Sequence, residues 1–417
     1  MHKLLTTVMM GAALLPGTAL AEDQVTLNWA LWDWNSAPYY QQLITAYEAE
    51  HPNVKINYTD LGSAQYDQML ITQLTGGAND LDVISIKDIP GYAQLISTNA
   101  LVNLSKAMDK PVDKAAYGGL IDALTVDGNL YALPFRTDFW IAYYNKDLFD
   151  KAGVSYPTND MTWAQFDDLA RKVTSGFGAN KVYGEHFHVW RSTVELPAIQ
   201  SGEHTLIADD YGFLKPWYER ALKLQDDGIV MSYAQLKTSN THYSGPFYNQ
   251  QIAMLPMGTW FIGSQIAKVK SGESLAKNWG IVSFPHPEGV KAGTTAAQVT
   301  SLGVNAHSAH QQAAIDFAAW VAGPEGAAIV AKAGTIPALR NADVIKTITS
   351  NPGFPKDPAS AQALQTTQTY LELPVNLKAA DIDLVLNRAH DAIMTGSETI
   401  DQGIADMNKG VGAILKK

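Results

Sequence analysis

Side chains suited to holding a small polar molecule stand just beyond several apolar segments of this chain. Trp34 and Asn35 follow the apolar run that begins at Val25, and Asp88 follows the run that ends at Ile86. Carboxylates, amides and guanidinium groups form directional, often bidentate hydrogen bonds, whereas aromatic rings offer flat faces for stacking. The candidate binding residues are Trp34, Asn35, Gln65, Tyr66, Asp88, Arg136, Asp138, Trp190, Arg191, Trp260 and Gln298. This combination predicts non-covalent recognition of a polar ligand.

Several of these candidates also have an ordinary structural role open to them. Trp260 follows an apolar strand and a glycine, so it either faces a ligand or packs between a helix and the sheet. Asp88 binds a ligand, caps a helix or is a surface charge, because an unpaired carboxylate has no place in a core strand. Trp34 is the outermost indole at the end of the first strand, and Tyr66 also starts the apolar stripe of a helix. For each of these residues, the sequence leaves both a ligand-binding role and a structural role open.

A second group of candidates lies in extended or turn-like segments. Arg136 and Asp138 flank Thr137 and share one parity of an extended segment, so they either project together into a cleft or pair with each other. Gln298 lies in TTAAQVTSLG, a segment that we interpret as turn-like. Gln65 falls in the first turn of a predicted helix.

The segment GEHFHVWR contains the residues with metal-binding character. If it is extended, His186, His188 and Trp190 lie on one face, and a His-x-His pair is half of a zinc or copper site. The spacing of the other histidines indicates no third ligand, so we expect no metal and no cofactor. Trp190, Arg191 or a histidine then lines the binding site, or the segment simply packs.

The elements that position these residues alternate along the first part of the chain. Residues 25–34 alternate with the strand period, a helix with Pro38 in its first turn follows, and residues 54–58 form a second strand. Residues 66–74 keep helical spacing before the apolar third strand at 81–86. This β-α-β-α-β order predicts a mainly parallel sheet with helices on its faces and a ligand beyond the carboxyl ends of its strands.

A second unit is predicted beyond this one. Pro134 interrupts the pattern, and residues 139–144 form a new apolar strand. Thr162 and Gln165 have the spacing of a helix capping box. Further strands are expected at 252–255 and 279–284, and a helix at 397–416.

The start of the chain has the features of an export signal. Lys3 is basic, residues 4–15 are almost wholly apolar, and Ala19-Leu20-Ala21 offers small residues for cleavage, so we expect cleavage after Ala21. The apolar core is shorter than the ~20 residues that a membrane-spanning helix needs, and no direct membrane insertion is expected.

Composition restricts the class of protein and its partners. There is no cysteine, which excludes disulfides, cysteine-ligated metals and a lipid attached through a thiol. The formal net charge is −11 without basic clusters, and Lys3 is the only charged residue of the predicted signal, so nucleic acid and anionic membranes are not expected partners. Residues 22–417 form a longer chain than a single hydrophobic core usually supports. This length favours two domains.

Four segments, in this order, resemble the extracellular solute-binding proteins of carbohydrate importers, the family that includes maltose-binding proteins. They are YALPFRTDFWIAYYNKDLFDKAGV with TWAQFDDLA behind it, FYNQQIAMLPMGTWFIG, SLGVNAHSAHQQAAIDFAAWVAGPEGAAIV, and GTIPALRNADVI. With the signal and the opening strand, the resemblance spans nearly the whole mature chain. It implies an α/β fold of two lobes, each a mainly parallel sheet flanked by helices, which three hinge crossings join.

The resemblance also implies where the lobes begin and end. The crossings are expected near residues 133–136, 282–285 and 334–337. The signal then covers residues 1–21, the N-terminal lobe residues 22–133 plus 285–334, and the C-terminal lobe residues 134–284 plus 335–417.

The implied function is that of the periplasmic binding component of an ABC transporter. Such a protein, expected to be a monomer, captures a sugar, sugar alcohol or short oligosaccharide and delivers it to inner-membrane permease subunits. Sugar hydroxyls require paired hydrogen bonds and sugar C–H faces stack on rings, which matches the candidate residues. Arg136 and Arg191 leave an acidic or phosphorylated sugar open.

Two other functions remain open from the sequence. A secreted glycosidase uses two acidic groups ~5–10 Å apart, but the pairs Asp209-Asp210 and Asp226-Asp227 have the character of solvated surface, and no Gly-x-Ser-x-Gly, His-Glu-x-x-His or phosphate-loop motif is present. A protein of the same fold can also dock on a chemoreceptor. The sequence does not separate transport from sensing.

Overall fold

The computed structural model describes residues 24–63, 65–77, 80–117, 119–339 and 343–416. The export signal predicted at residues 1–21 lies outside this range. The strands are β1 (Val25–Leu31), β2 (Val54–Asp60), β3 (Val83–Ile86), β4 (Ala132–Asn145), β5 (Met254–Gly258), β6 (Trp279–Ser283), β7 (Thr294–Val304) and β8 (Gln368–Leu371).

Helices surround these strands in both halves of the chain. In order they are α1 (Tyr39–Glu50), α2 (Tyr66–Thr75), α3 (Ile89–Ser97), α4 (Leu104–Ala107), α5 (Leu120–Leu124), α6 (Lys146–Ala152), α7 (Trp163–Val173), α8 (Ser192–Ile199), α9 (Lys215–Asp226), α10 (Tyr233–Ser239), α11 (Ser244–Tyr248), α12 (Phe261–Ser271), α13 (Gln311–Ala322), α14 (Pro324–Lys332), α15 (Val344–Thr349), α16 (Pro358–Gln362), α17 (Ala379–Thr395) and α18 (Ile400–Leu415).

The N-terminal lobe is built on the parallel strands predicted from the alternation of elements. β1 pairs in parallel with β2 and β3, and β7 runs antiparallel to β3. All four residues of β3 are buried, because helices cover both faces of this sheet. Trp29 of β1 packs edge-on against Tyr40 of α1 and Phe317 of α13, which joins the sheet to both helices.

One long strand, β4, runs from one lobe to the other. The first part of β4, residues 132–139, pairs with β7, and its last part, residues 140–145, pairs with both β5 and β6. The backbone at Arg136 also bridges Pro337, so a third segment passes beside the same point. The lobe boundaries drawn from the sequence stay a prediction, but this place is where the strand partners change.

Two expectations from the sequence are corrected here. The segment that contains Gln298 is not turn-like, because it forms the middle of the buried strand β7. In the C-terminal lobe, β4 is antiparallel to both of its neighbours, β5 and β6, although a mainly parallel sheet was expected. The reason is that β4 enters this sheet from the other lobe instead of following a crossover helix.

The helices complete the two layers around each sheet. The predicted capping box is present at α7, where Thr162 accepts from the Gln165 backbone and the Gln165 side chain accepts from Thr162 N–H. α17 packs on α18 within the C-terminal lobe and also on α3 of the N-terminal lobe. In the described residues no single helix is long and apolar enough to span a membrane, and only α13 with α14, bent by 52°, meets that test as a pair.

Candidate functional site

A cavity opens between the lobes, beside the point where β4 crosses from one to the other. Its free volume is about 30 Å³, roughly that of one water molecule, so the two lobes lie close together around it. Its lining comes from the turn after β1, from β4, and from the C-terminal lobe. The lining residues are Trp32, Asp33, Ser36, Ala37, Pro38, Tyr39, Arg136, Tyr243, Trp260, Ser264 and Thr335.

Asp33 is the acidic group that lines this cavity. Its backbone is left-handed, with φ of 55°, and its carbonyl accepts from the N–H groups of Ser36 and Ala37 at 2.8 and 2.9 Å. Such a conformation is uncommon outside glycine and often marks a functional turn. Among the described residues, the Asp33 carboxylate has no hydrogen bond or ion pair. Burial raises the pKa of this carboxyl, while His242 and Lys87 act in the opposite direction.

Aromatic rings of the C-terminal lobe form one wall of the site. The Trp260 ring lies edge-on to Trp140 and Trp190, at centroid distances of 5.7 and 6.3 Å. Tyr243 packs on Trp190 at 5.5 Å. Gly258 makes room for the Trp260 ring, because an added Cβ at this position would lie 2.0 Å from the ring. Trp260 is partly exposed, so one of its faces remains open to the cavity.

Lys87 spans the gap between the two lobes. Its Nζ lies 5.9 Å from the ring centroids of both Trp32 and Trp190, the first in the N-terminal lobe and the second in the C-terminal lobe. It donates to the backbone oxygen of Ser63 at 2.7 Å. A cation between two indoles is a favourable contact, and here it joins the lobes.

The hinge strand β4 carries a buried ion pair under the cavity. Arg136 Nη1 lies 3.5 Å from Asp138 Oδ2, and Thr259 donates to Asp138 Oδ1 at 3.0 Å. The guanidinium group also lies over the rings of Trp32 and Tyr39. The two residues therefore pair with each other, one of the alternatives left open by the sequence. Arg136 Nε is buried and has no hydrogen-bond partner among the described residues.

Comparison with known proteins identifies the family. A model of the bacterial extracellular solute-binding proteins matches residues 33–328, which is more than half of the chain. The chain belongs to this family. The resemblance noted in the sequence and the two-lobed α/β fold that it implied are thereby confirmed.

Relatives of this solute-binding protein differ in the ligands that their names give. A lactose-binding protein of Rhizobium radiobacter is 25% identical over 323 residues, 75% of this chain and 73% of the relative. A periplasmic sn-glycerol-3-phosphate-binding protein of Pectobacterium atrosepticum is 23% identical over 410 residues, 90% of this chain and 87% of the relative. A crystal structure of a sugar transporter from Rhizobium etli, described as an open conformation, is 62% identical with a TM-score of 0.75, and the match covers 93% of this chain and 99% of that one.

In the solute-binding protein, some predicted residues lie at the cavity and others do not. Trp260 and Arg136 line it, Trp190 packs against Trp260, and Gln298 lies opposite Asp138 in the pairing of β4 with β7. Arg191 does not line the cavity, because it pairs with Glu195 and Asp383 of its own lobe.

The candidates at the ends of the first strands are spread over several places. The Trp34 ring is stacked on Tyr58 at 3.6 Å and borders a separate outer groove with Gln41 and Asn57. Asn35 and Gln65 are exposed, and Gln65 precedes α2. Tyr66 is buried, and its hydroxyl donates to the backbone oxygen of Ser85 at 2.6 Å, which is a core role.

Asp88 acts as the N-cap of α3 and accepts from the Gly91 N–H at 2.9 Å. It also lies in a group of charges that both lobes contribute. Burial first, and then the nearby Asp67, raise the pKa of Asp88 to about 8, and Asp383 of α17 adds to this effect. Lys87 acts in the opposite direction.

The histidines of GEHFHVWR lie beside the aromatic wall. His188 packs on Trp190 at 4.5 Å and lies 6.1 Å from His186 and 6.4 Å from His242. Both ring nitrogens of His186 lack a partner, and burial lowers the pKa of His186 to about 3, so the ring is neutral. In the part of the chain that the structure describes, no three His, Cys, Asp or Glu side chains are grouped to hold a metal.

The sequence prediction did not include the cavity residues Asp33, Ser36, Tyr243 and Ser264, nor Lys87, which lies between Trp32 and Trp190. A signal was present for two of them. Asp33 and Lys87 are charged residues directly after apolar strands, at the same sheet edge as the chosen Asp88. Tyr243 and Ser264 have no such signal, because they lie at the N-cap of α11 and in α12, more than 200 residues after Asp33, and meet it only in the folded chain.

Proposed function

We propose that this protein captures a sugar, sugar alcohol or short oligosaccharide in the cleft between its lobes and delivers it to the permease of an ABC importer. The observation that carries the proposal is the unpaired Asp33 carboxylate in a cavity walled by Trp260 and Tyr243. A carboxylate accepts hydrogen bonds from hydroxyl groups, and indole rings stack on C–H faces. Together they provide what a carbohydrate requires.

Family membership supports the rest of the proposal. Extracellular solute-binding proteins act outside the cytoplasmic membrane, so we propose the periplasm as the location, with cleavage after Ala21. The chain acts in this proposal as a monomeric binding protein, with no enzymatic activity and no cofactor. The lactose-binding relative supports a carbohydrate as the ligand.

Contacts across the cleft support closure as the signal to the permease. The Ser264 hydroxyl of α12 donates to the Ser36 backbone oxygen at 2.7 Å, and Lys87 lies against Trp190 of the other lobe. A ligand that binds the closed form better than the open form shifts the population toward it. The permease then recognises the closed shape, as in other hinged binding proteins.

A thermal-shift screen of the mature protein tests the proposal. The probes are lactose, mannitol, maltose, mannobiose and glucose, each added at high concentration. A ligand at ~100 times its dissociation constant adds ~2.7 kcal/mol to the free energy of unfolding, so a binder raises the melting temperature clearly. We expect at least one probe to do so without being cleaved. A screen without any shift, or products of hydrolysis in the mixture, contradicts the proposed function.

A further inference from the structure

The charged groups around the cleft bear on whether the ligand is neutral or anionic. The relatives include a binder of neutral lactose and a binder of anionic glycerol phosphate, so family membership alone does not decide it. A phosphate or carboxylate group is commonly bound by cations, above all by arginine in a bidentate contact. The cations at this cleft are Lys87, Arg136 and Arg191.

Both arginines are already neutralised by the protein itself. Arg136 forms a buried ion pair with Asp138, whose side chain is 2% exposed. Arg191 donates to Glu195 at 2.7 Å and to Asp383 at 2.5 Å, so two carboxylates share one guanidinium group. An anionic ligand would have to compete with these carboxylates for each arginine.

Lys87 is the remaining cation, and acids surround it. It has no ion pair among the described residues and makes its hydrogen bond to a backbone oxygen. Its charge acts on the carboxyl groups of Asp33, Asp67 and Asp88 and opposes the rise of their pKa values. Lys87 therefore lies near several carboxyl groups, and a ligand anion would have to share its charge with them.

The cavity itself presents a carboxylate. Asp33 lines it without a hydrogen-bond partner among the residues described, and its left-handed turn fixes where the carboxylate lies. A ligand phosphate or carboxylate in this cavity would lie beside that carboxylate and be repelled by it. Neutral hydroxyl groups face no such cost and donate to the carboxylate.

We infer that the cleft takes uncharged sugars or polyols and rejects their phosphorylated or carboxylated counterparts, and that Asp33 determines this preference. The inference rests on the proposed function. Asp33→Asn is the decisive variant, because asparagine adopts left-handed backbone at least as readily as aspartate and the turn should persist. Asp226→Asn, on the exposed end of α9, is the matched control for a lost negative charge.

Titration calorimetry with matched probe pairs tests the inference. The pairs are lactose and lactobionate, mannitol and mannitol 1-phosphate, and glucose and glucose 6-phosphate. We expect the neutral member of at least one pair to bind, and its anionic partner to bind at least about tenfold more weakly. In Asp33→Asn, the neutral probe should bind about tenfold more weakly and the preference over the anion should shrink by a similar factor, while Asp226→Asn leaves both unchanged.

The outcomes distinguish a failure of the charge inference from a failure of the proposed function. Equal or tighter binding of an anionic probe overturns the charge inference and leaves the proposed carbohydrate function standing. An Asp33→Asn protein that keeps the full preference removes Asp33 as its determinant. If no probe of any pair binds, the proposed function and the inference fail together.

Discussion

Replacing Gly258 with alanine tests the role of the Trp260 ring without removing that ring. Gly258 ends β5, and a Cβ built at this position would lie 2.0–2.3 Å from three atoms of the Trp260 ring. Real Cβ contacts essentially never fall below 3.0 Å, so the ring has to move by about 1 Å. The ring is at the end of a side chain that faces a cavity, so it can move while the strand stays in place.

The expected magnitudes follow from what the displaced ring loses. Overpacking of this kind costs about 1–3 kcal/mol of stability, and the edge-on contacts with Trp140 and Trp190 are worth about 0.5–1.5 kcal/mol each. The protein should therefore fold, with a lower melting temperature. Ligand affinity should fall at least tenfold, about 1.4 kcal/mol, which is the loss that we also expect for Trp260→Ala.

The assay is titration of the best carbohydrate from the thermal-shift screen, followed by tryptophan fluorescence. Gly412→Ala is the matched control, since an added Cβ at this position, in the last turn of α18, meets nothing within 4 Å. Alanine there should stabilise the helix by about 0.5–1 kcal/mol and leave affinity unchanged. If Gly258→Ala binds the ligand as tightly as the parent protein, the position of the Trp260 ring has no part in recognition.

Three other predictions concern closure, stability and pH. Ser264→Ala removes the hydrogen bond to Ser36 across the cleft, so ligand dissociation in stopped-flow fluorescence should accelerate about two- to tenfold. Arg220→Ala leaves the buried Glu185 without its counter-ion, and urea unfolding should show a loss of about 3–5 kcal/mol. Burial raises the pKa of Glu372 to about 7 from its ordinary 4.5, so the folded protein holds a proton that the unfolded chain releases between these values. The contribution of this carboxyl group to the free energy of unfolding should therefore fall as pH rises from about 4.5 to about 7, and Glu372→Gln should make the measured slope less negative by up to one proton.

Each of these predictions has a clear contrary result. Unchanged dissociation from the Ser264 variant would show that the hydrogen bond does not hold the closed form. A loss below about 1 kcal/mol for Arg220→Ala would mean that Glu185 is protonated or solvated in the folded protein. An identical pH slope with Glu372→Gln would show that this carboxyl group is ionised throughout.

The first half of the fold could be predicted because local patterns determine it. Alternation in β1, the apolar run of β3 and the capping box at Thr162 each depend on residues close together in the chain. β7 was missed for a physical reason. It lies between β3 and β4, with both faces buried, and small residues such as Ala296 and Ala297 fill that space without showing a strand period.

The site was only partly predictable because its geometry depends on where β1 ends. The alternation of strand faces was extended to Trp34, but β1 ends at Leu31 and Asp33 turns the backbone into the left-handed region. Beyond such a turn, parity no longer predicts direction, so Trp34 faces the outer groove and Asp33 the cavity. Likewise, no local pattern relates Arg191 to Asp383, its partner 192 residues later.

Closure and charge selection have one electrostatic origin in this structure. The lobes attract each other through the Ser264 hydrogen bond and through Lys87 between its two indoles. Asp383 of α17 also lies near Asp88 of the other lobe and contributes to the raised pKa of that carboxyl. A neutral ligand adds hydrogen bonds to the closed form without adding charge, and therefore shifts the population toward it. An anionic ligand would instead bring its negative charge beside the Asp33 carboxylate, and this repulsion would offset the hydrogen bonds that favour the closed form.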